Sequence, residues 1–422
     1  MGLTMDEKRS VTRETARRYR RAAKKQKGFV LDEFTALMGY NRTYASHILA
    51  NWGKTVYLKV KGETVAAVLG GPAKKTKRTR PRKYDEGFLR VLRSLWEVSD
   101  YLCGKRLAPF ISITLPVLER FGEIKPDEQM RAKLMEASPA TIDRLLRKDR
   151  KKLTLKSKAR TKPGTLLKHQ IPIRTFSDWD DLRPGFTEVD LVGHDGGDTG
   201  GEYAQTLHLT DVCTSWCEMQ AVKNKARIWV FEALKDIRGR LPFPLLGLDS
   251  DNGSEFINDH LLNYCRDNKI SFTRTRAYRK NDNCHIEQKN WSVIRRSVGH
   301  MRYDTGDELS TLNELYRHLR LYVNFFQPVM KLKEKTRVGS RVTKKYHPPK
   351  TPYQLVLESK LVDRAVKRNL KKQYEKLNPA ELKRTITKLQ NKLFRTATSK
   401  TAAKGNSNFG YNPNEAINKH FV

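Results

Sequence analysis

The chain has 422 residues, too many for one compact core, so three or four domains are expected. Its 83 Lys and Arg against 46 Asp and Glu leave a formal net charge of +37, which repels itself unless a polyanion compensates it. That balance points to nucleic acid and away from a membrane, because no long apolar run or hydrophobic anchor accompanies the basic segments.

Residues 8–27 hold ten Lys or Arg with little apolar periodicity and read as a basic arm or a solvated helix. Leu31, Phe34, Leu37 and Met38 then follow helical spacing, Gly39 marks a turn, and Asn41 starts a second helix as its N-cap. The pattern fits a helix-turn-helix whose second helix exposes Arg42, Thr43 and His47 to a major groove while Ile48 and Leu49 pack inward. An ordinary helical hairpin is the bland alternative. The run Lys74–Lys83, seven basic residues in ten, is a linker that tracks phosphates or a solvated spacer.

A second helical block begins with the apolar face of Phe88, Val91, Leu92, Leu95 and Trp96. Ser138 and Pro139 open a further helix as N-cap and first helical residue. Ile142, Leu145 and Leu146 turn inward from it, and Arg144, Arg147 and Lys148 stay outside as DNA contacts of a second helix-turn-helix. Arg147–Lys162, with nine basic residues, is a second linker.

The rhythm then changes. Residues 186–193, 204–212 and 216–223 are strand-like, 226–241 has helical spacing, and 245–248, 254–268 and 270–276 read as strand, helix and strand. Such alternation defines mixed α/β architecture. Residues 331–345 are very basic and helix-poor. Asn378–Glu381 starts a helix whose Leu382, Ile386, Leu389 and Leu393 suit a short coiled coil or, better, packing within one chain. Residues 396–422 are expected to be a tail. Five cysteines without paired spacing argue against a disulfide framework and for a reducing cytoplasm. Cys213 and Cys217 are expected to be buried thiols rather than zinc ligands. Met1–Met5 runs into charged helix without an apolar stretch, so no signal peptide is expected.

Carboxylates carry the chemistry. Glu188 and Asp190 are two apart and share one face of their strand, as do Asp249 and Asp251. Asp251 sits in Ser250-Asp251-Asn252-Gly253-Ser254-Glu255-Phe256, with sixty residues between it and Asp190, and thirty-five residues separate it from Glu287 on a helix start. Asn290 lies one turn past Glu287, and Lys289, Arg295 and Arg296 make that helix a phosphate-facing surface. His285 either contacts a nucleic-acid strand or caps the helix.

These strings and spacings resemble the D-D-E transposases of the retroviral integrase superfamily, and among them bacterial insertion-sequence transposases; the likeness spans about residues 180–330. It implies Asp190 rather than Glu188 and Asp251 rather than Asp249, with Glu287, as catalytic metal ligands for two Mg²⁺ ions, Mn²⁺ being able to substitute. The turn at Asn252-Gly253 would lead into a helix whose amides face phosphate. The His-His-Cys-Cys zinc module of retroviral integrases is absent, and small residues common before the glutamate are replaced by Asn283-Cys284-His285.

The expected fold class is therefore multidomain, with helix-turn-helix N-terminal domains, a ribonuclease H-like α/β core and a small C-terminal β-rich and helical region. The expected divisions are 1–70, a linker 71–85, 86–150, a linker 151–179, the core 180–330, a small β DNA-binding domain 331–360, and helices and tail 361–422. The implied function is cleavage of transposon ends and strand transfer into double-stranded target DNA by a homodimer or larger assembly at the bacterial nucleoid. A catalytically silent DNA-binding regulator and a structure-specific nuclease of the same fold are the alternatives.

Overall fold

Thr4 accepts the Glu7 amide and Glu7 reaches back to the Thr4 amide, a reciprocal cap that starts α1 at Met5–Arg21. The computed structural model describes residues 3–60, 63–70, 83–152, 183–251, 253, 255, 256, 258–274 and 284–403. Most of both basic linkers, Asn252, Ser254, 275–283 and 404–422 lie outside that set. The chain divides into two units, Met1–Arg82 and Lys83–Val422.

In the first unit α2 (Lys24–Met38) stops at Gly39, which takes the left-handed conformation (φ 67°) that glycine reaches at least cost. Asn41 then caps α3 (Arg42–Asn51) by accepting the Thr43 amide. Ala16, Phe34, Ala45 and Leu49 are buried between the three helices. An antiparallel hairpin follows, β1 (Thr55–Val60) and β2 (Glu63–Val68), with Leu69 packed on the helical core. The sequence reading contains no such hairpin.

The second unit opens with helices α4 (Glu86–Val98), α5 (Gly104–Arg120), α6 (Glu128–Glu136), α7 (Pro139–Leu145) and α8 (Arg147–Lys152). Ser138 caps α7 with Pro139 at its first position. The central sheet comprises β3 (Phe186–Gly193), β4 (Gln205–Asp211), β5 (Cys217–Val222), β6 (Gly247–Ser250) and β7 (Ser271–Arg274) in the order β5-β4-β3-β6-β7. β3, β4 and β5 are antiparallel neighbours, and β6 and β7 run parallel to β3.

Alternation along the strands sorts the sheet's faces. Val189, Leu207, Leu209, Leu248 and Phe272 form one apolar layer beneath α9 (Arg227–Arg240) and α10 (Asp259–Asp267). The other face carries Glu188, Asp190 and Val192 on β3, with Met219 and Ala221 on β5, and joins a larger core. Its cover is α11 (Cys284–Lys289), a π-helical segment Asn290–Arg295, α12 (Arg296–Val298) and the long α13 (Gly306–Phe326). α4, α5 and α7 contribute to that same core.

Three expectations change. The helix expected from residue 254 starts at Asp259, where Asn258 Oδ1 accepts the Leu261 amide; the preceding residues turn to bury Phe256. Residues 331–360 contain a two-stranded hairpin, β8 (Leu332–Val338) and β9 (Arg341–Tyr346), with every side chain exposed and hence no core of its own, followed by α14 (Pro352–Glu358). Residues 396–403 are helical rather than tail, because α16 (Pro379–Ala403, after α15 at Arg364–Lys376) buries Ala397 and returns the Thr396, Thr398 and Ser399 hydroxyls to carbonyls one turn back.

The stripe Leu382, Ile386, Leu389 and Leu393 is buried within the chain, against a core that includes α13. Leu393 is 1 % exposed, so Leu393→Ala should cost about 2–5 kcal/mol by removing contacts and leaving a cavity. A denaturant midpoint unchanged from the parent protein would contradict that packing. Among the described residues no helix is long and apolar enough to cross a membrane.

Candidate functional site

β3 and β6 pair in parallel with Glu188 opposite Asp249 and Val189 opposite Ser250, so the next step brings Asp190 beside Asp251. Four acidic residues thus form two rows across adjacent strands, all turned from the apolar layer of Val189 and Leu248. The rows have different surroundings.

In the outer row, Asp190 Oδ1 accepts the Leu191 amide at 2.8 Å and Oδ2 accepts the Asn290 side-chain amide at 2.6 Å. Because that Asn290 nitrogen donates, its Oδ1 must accept, and His208 Nδ1–H lies 2.7 Å away. Burial holds His208 down to about 4, so the imidazole is neutral and its tautomer is set by Asn290. Asp251 Oδ1 accepts the Gly253 amide at 2.9 Å, closing a tight turn. A Cβ at Gly253 would stand 2.7 Å from the Glu255 carboxyl, so glycine lets that carboxylate fold back.

Burial pushes the Asp190 carboxyl up to about 7, and the Asp251 and Glu255 charges add to the shift. Asp251 and Glu255 are raised as well, again chiefly by burial. Glu255, four residues after Asp251 in the quoted string, is not singled out in the sequence, yet its charge reaches Asp190.

The inner row is structural. Glu188, fully buried, accepts the Ile286 amide at 2.6 Å and so caps α11. Burial, with Asp249 and Glu287 as like charges, pushes it up to about 8. Asp249 is also buried and accepts the Thr273 hydroxyl. Glu287 is exposed on α11, one turn before Asn290. His285 is held down to about 4 by burial, then by Lys331 and Lys289. Among the described residues no three His, Cys, Asp or Glu side chains form a group that could hold a metal ion. Asp190 and Asp251 are thus brought together, and Glu287 stands on the neighbouring helix.

Of the expected DNA contacts, Arg42, Thr43, His47, Arg144, Arg147 and Lys148 are exposed, and Lys289 is half-buried. Arg42 is paired with Asp32 and His47 with Asn51. Arg295 and Arg296 are half-buried and have partners within the protein. Arg295 donates to the Gly193 carbonyl at 2.8 Å, and Arg296 pairs with Asp100 at 3.2 Å. Arg295 ends the π-helical segment and Arg296 begins α12. Cys217 is buried and Cys213 half-buried, both as thiols.

A helical protein built around a mixed sheet, with an acidic pair between two parallel strands, is the class these features define. The chain belongs to the same family as the uncharacterized protein y4rM of Sinorhizobium fredii (strain NBRC 101917 / NGR234), with 40% identity over 335 residues, 79% of this chain and 91% of that protein. No family profile matches. Among solved structures, the BIV integrase catalytic core overlaps 41% of this chain and 94% of its own, with 16% identity and a TM-score of 0.29. The HTLV-2 integrase catalytic core in complex with magnesium overlaps 35% and 92%, with 14% identity and a TM-score of 0.27. A simian T-cell lymphotropic virus intasome in complex with a PP2A regulatory subunit overlaps 62% and 76%, with 14% identity and a TM-score of 0.32.

Proposed function

We propose that this protein is a D-D-E transposase or integrase whose ribonuclease H-like core cleaves and joins DNA with Asp190, Asp251 and Glu287 as ligands of Mg²⁺. The observation that carries the reading is the Asp190–Asp251 pair, two carboxylates on adjacent parallel strands, the first pushed up to about 7 by burial and its neighbours. Half-buried like charges of this kind suit a hard divalent cation, which relieves their repulsion through oxygen ligands. Glu287 would complete the set from α11. Asp190, Asp251 and Glu287 would hold such ions, whose chemistry when bound would be activation of a water or a 3′-hydroxyl and stabilisation of the leaving oxygen.

The chain's own residues prepare the site. Asn290, fixed by neutral His208, locks the Asp190 carboxylate in one orientation. The Gly253 amide does the same for Asp251. Exposed Arg144, Arg147 and Lys148, with Arg42, Thr43 and His47 of the first unit, are offered to double-stranded DNA. Joining two transposon ends to a target calls for at least two chains.

The test is incubation of the full chain and Mg²⁺ with duplexes carrying the terminal repeats of its own element. Exposed 3′-ends and their transfer into a second duplex are expected. Cleavage without transfer would assign a nuclease, and specific binding without cleavage a regulator. Binding should also weaken steeply with salt, given the +37 charge, by a slope of about −0.9 in log K per phosphate neutralised. A slope near zero in a filter-binding titration would contradict the electrostatic reading.

A further inference from the structure

α11, the π-helical segment and α12 form one continuous rod from Cys284 to Val298. Glu287 and Asn290 stand in its first half, and its second half is fastened in three directions. Arg295 reaches the carbonyl of Gly193, the last residue of β3, the strand that carries Asp190. Arg296 meets Asp100 through its side chain at 3.2 Å and through its backbone carbonyl. The Ser297 carbonyl accepts the side-chain amide of Gln390 at 2.7 Å, and Gln390 is 2 % exposed.

Asp100 is the shared fastening. Its other carboxylate oxygen accepts Lys383 Nζ at 2.6 Å, so one acid joins the rod to α16. Asp100 and Tyr101 both take left-handed backbone angles (φ 60°), which non-glycine residues keep only where the surroundings impose them. Those surroundings include the end of α13, because Gln327 donates to the Ser99 carbonyl at 3.0 Å and Arg106 donates to the Pro328 carbonyl at 2.7 Å. Burial alone would raise the Asp100 carboxyl, but Lys383 and Arg296 outweigh it and hold it below the usual range.

We infer that Asp100, Lys383 and Gln390 are positioning residues, and that α16 braces the rod so that Glu287 and Asn290 keep their place beside the Asp190–Asp251 pair. Arg295 and Arg296 serve the same end, one toward β3 and one toward α16. The catalytic consequence rests on the function proposed above, whereas the mechanical one does not.

Hydrogen exchange of the full-length protein, free of metal and DNA, tests the brace directly. In Asp100→Asn and Lys383→Met, exchange across residues 284–298 should quicken at least about tenfold, and Lys383→Arg should restore it. Leu393→Ala, which weakens α16 without touching Asp100, is the control and should quicken that segment only as far as it lowers overall stability. In the cleavage assay the same two variants should lose about tenfold or more in rate at saturating DNA, with affinity and salt slope unchanged. Exchange of 284–298 at the parent rate in both variants would overturn the inference. So would a loss that appears in DNA affinity and salt slope instead of rate. A parent protein that cleaves no DNA would remove the proposed function, and the exchange measurement would still judge the brace.

Discussion

Asp251→Asn is expected to reduce strand cleavage and transfer by at least about 10³-fold while leaving DNA affinity nearly intact, since the loss of one ligand charge removes several kcal/mol of stabilisation at the reacting phosphate. The amide has the same shape, and its oxygen can still accept the Gly253 amide, so the turn that follows β6 survives. Basic groups elsewhere hold the duplex, so a filter-binding titration should give an unchanged midpoint. Asp249→Asn should be far milder for cleavage, because Asp249 is buried and spends an oxygen on Thr273. Mg²⁺-dependent cleavage retained by Asp251→Asn in a gel assay would remove Asp251 from the catalytic set.

Asp190→Asn should stabilise the metal-free protein at pH 8. The Asp190 carboxyl is pushed up to about 7 by burial and by Asp251, so ionising it in the folded state is unfavourable. The stability it supports is present below the ordinary aspartate range and is lost as pH rises through about 7. A neutral amide removes that loss by about 1–3 kcal/mol once the Asn290 amide turns over to accept the new NH2 and His208 takes the other tautomer; this is less than the full shift implies because the side chain is only partly covered. Mg²⁺ should correspondingly raise the melting temperature of the parent protein more at pH 8 than at pH 6, and should do little for Asp190→Asn. Equal Mg²⁺ shifts in parent and variant would place the cation elsewhere.

Local signals in the sequence carry well into the structure. The alternation around Val189 located β3 to the residue, Ser138-Pro139 located α7, and the 4-3-4 spacing from Leu382 to Leu393 located the buried face of α16. These are period and cap effects, set by near neighbours. What depends on distant partners did not carry. Arg295 and Arg296 look like any exposed basic pair until Gly193 and Asp100 arrive from elsewhere in the chain. The Asp190–Asn290–His208 chain joins residues up to a hundred positions apart, and no spacing rule links them. The hairpin Thr55–Val68 was missed because its strands are short and half-exposed, with an outward face in which Tyr57 and Ala66 stand opposite one another.

The π-helical turn gives the rod one residue of slack. A π turn closes its hydrogen bonds over five residues where an α turn uses four, so Asn290–Arg295 stores the equivalent of one inserted residue. Deleting one residue there would let the segment relax to an α-helix with its two ends still in phase, whereas deleting two would turn everything beyond it by about 100° relative to what precedes it. Asn290 could then still meet Asp190, or Arg296 could still meet Asp100, but not both. Losing one residue is therefore milder in this stretch than in the α-helical turns on either side, and related chains that differ in length within the rod should differ at 290–295.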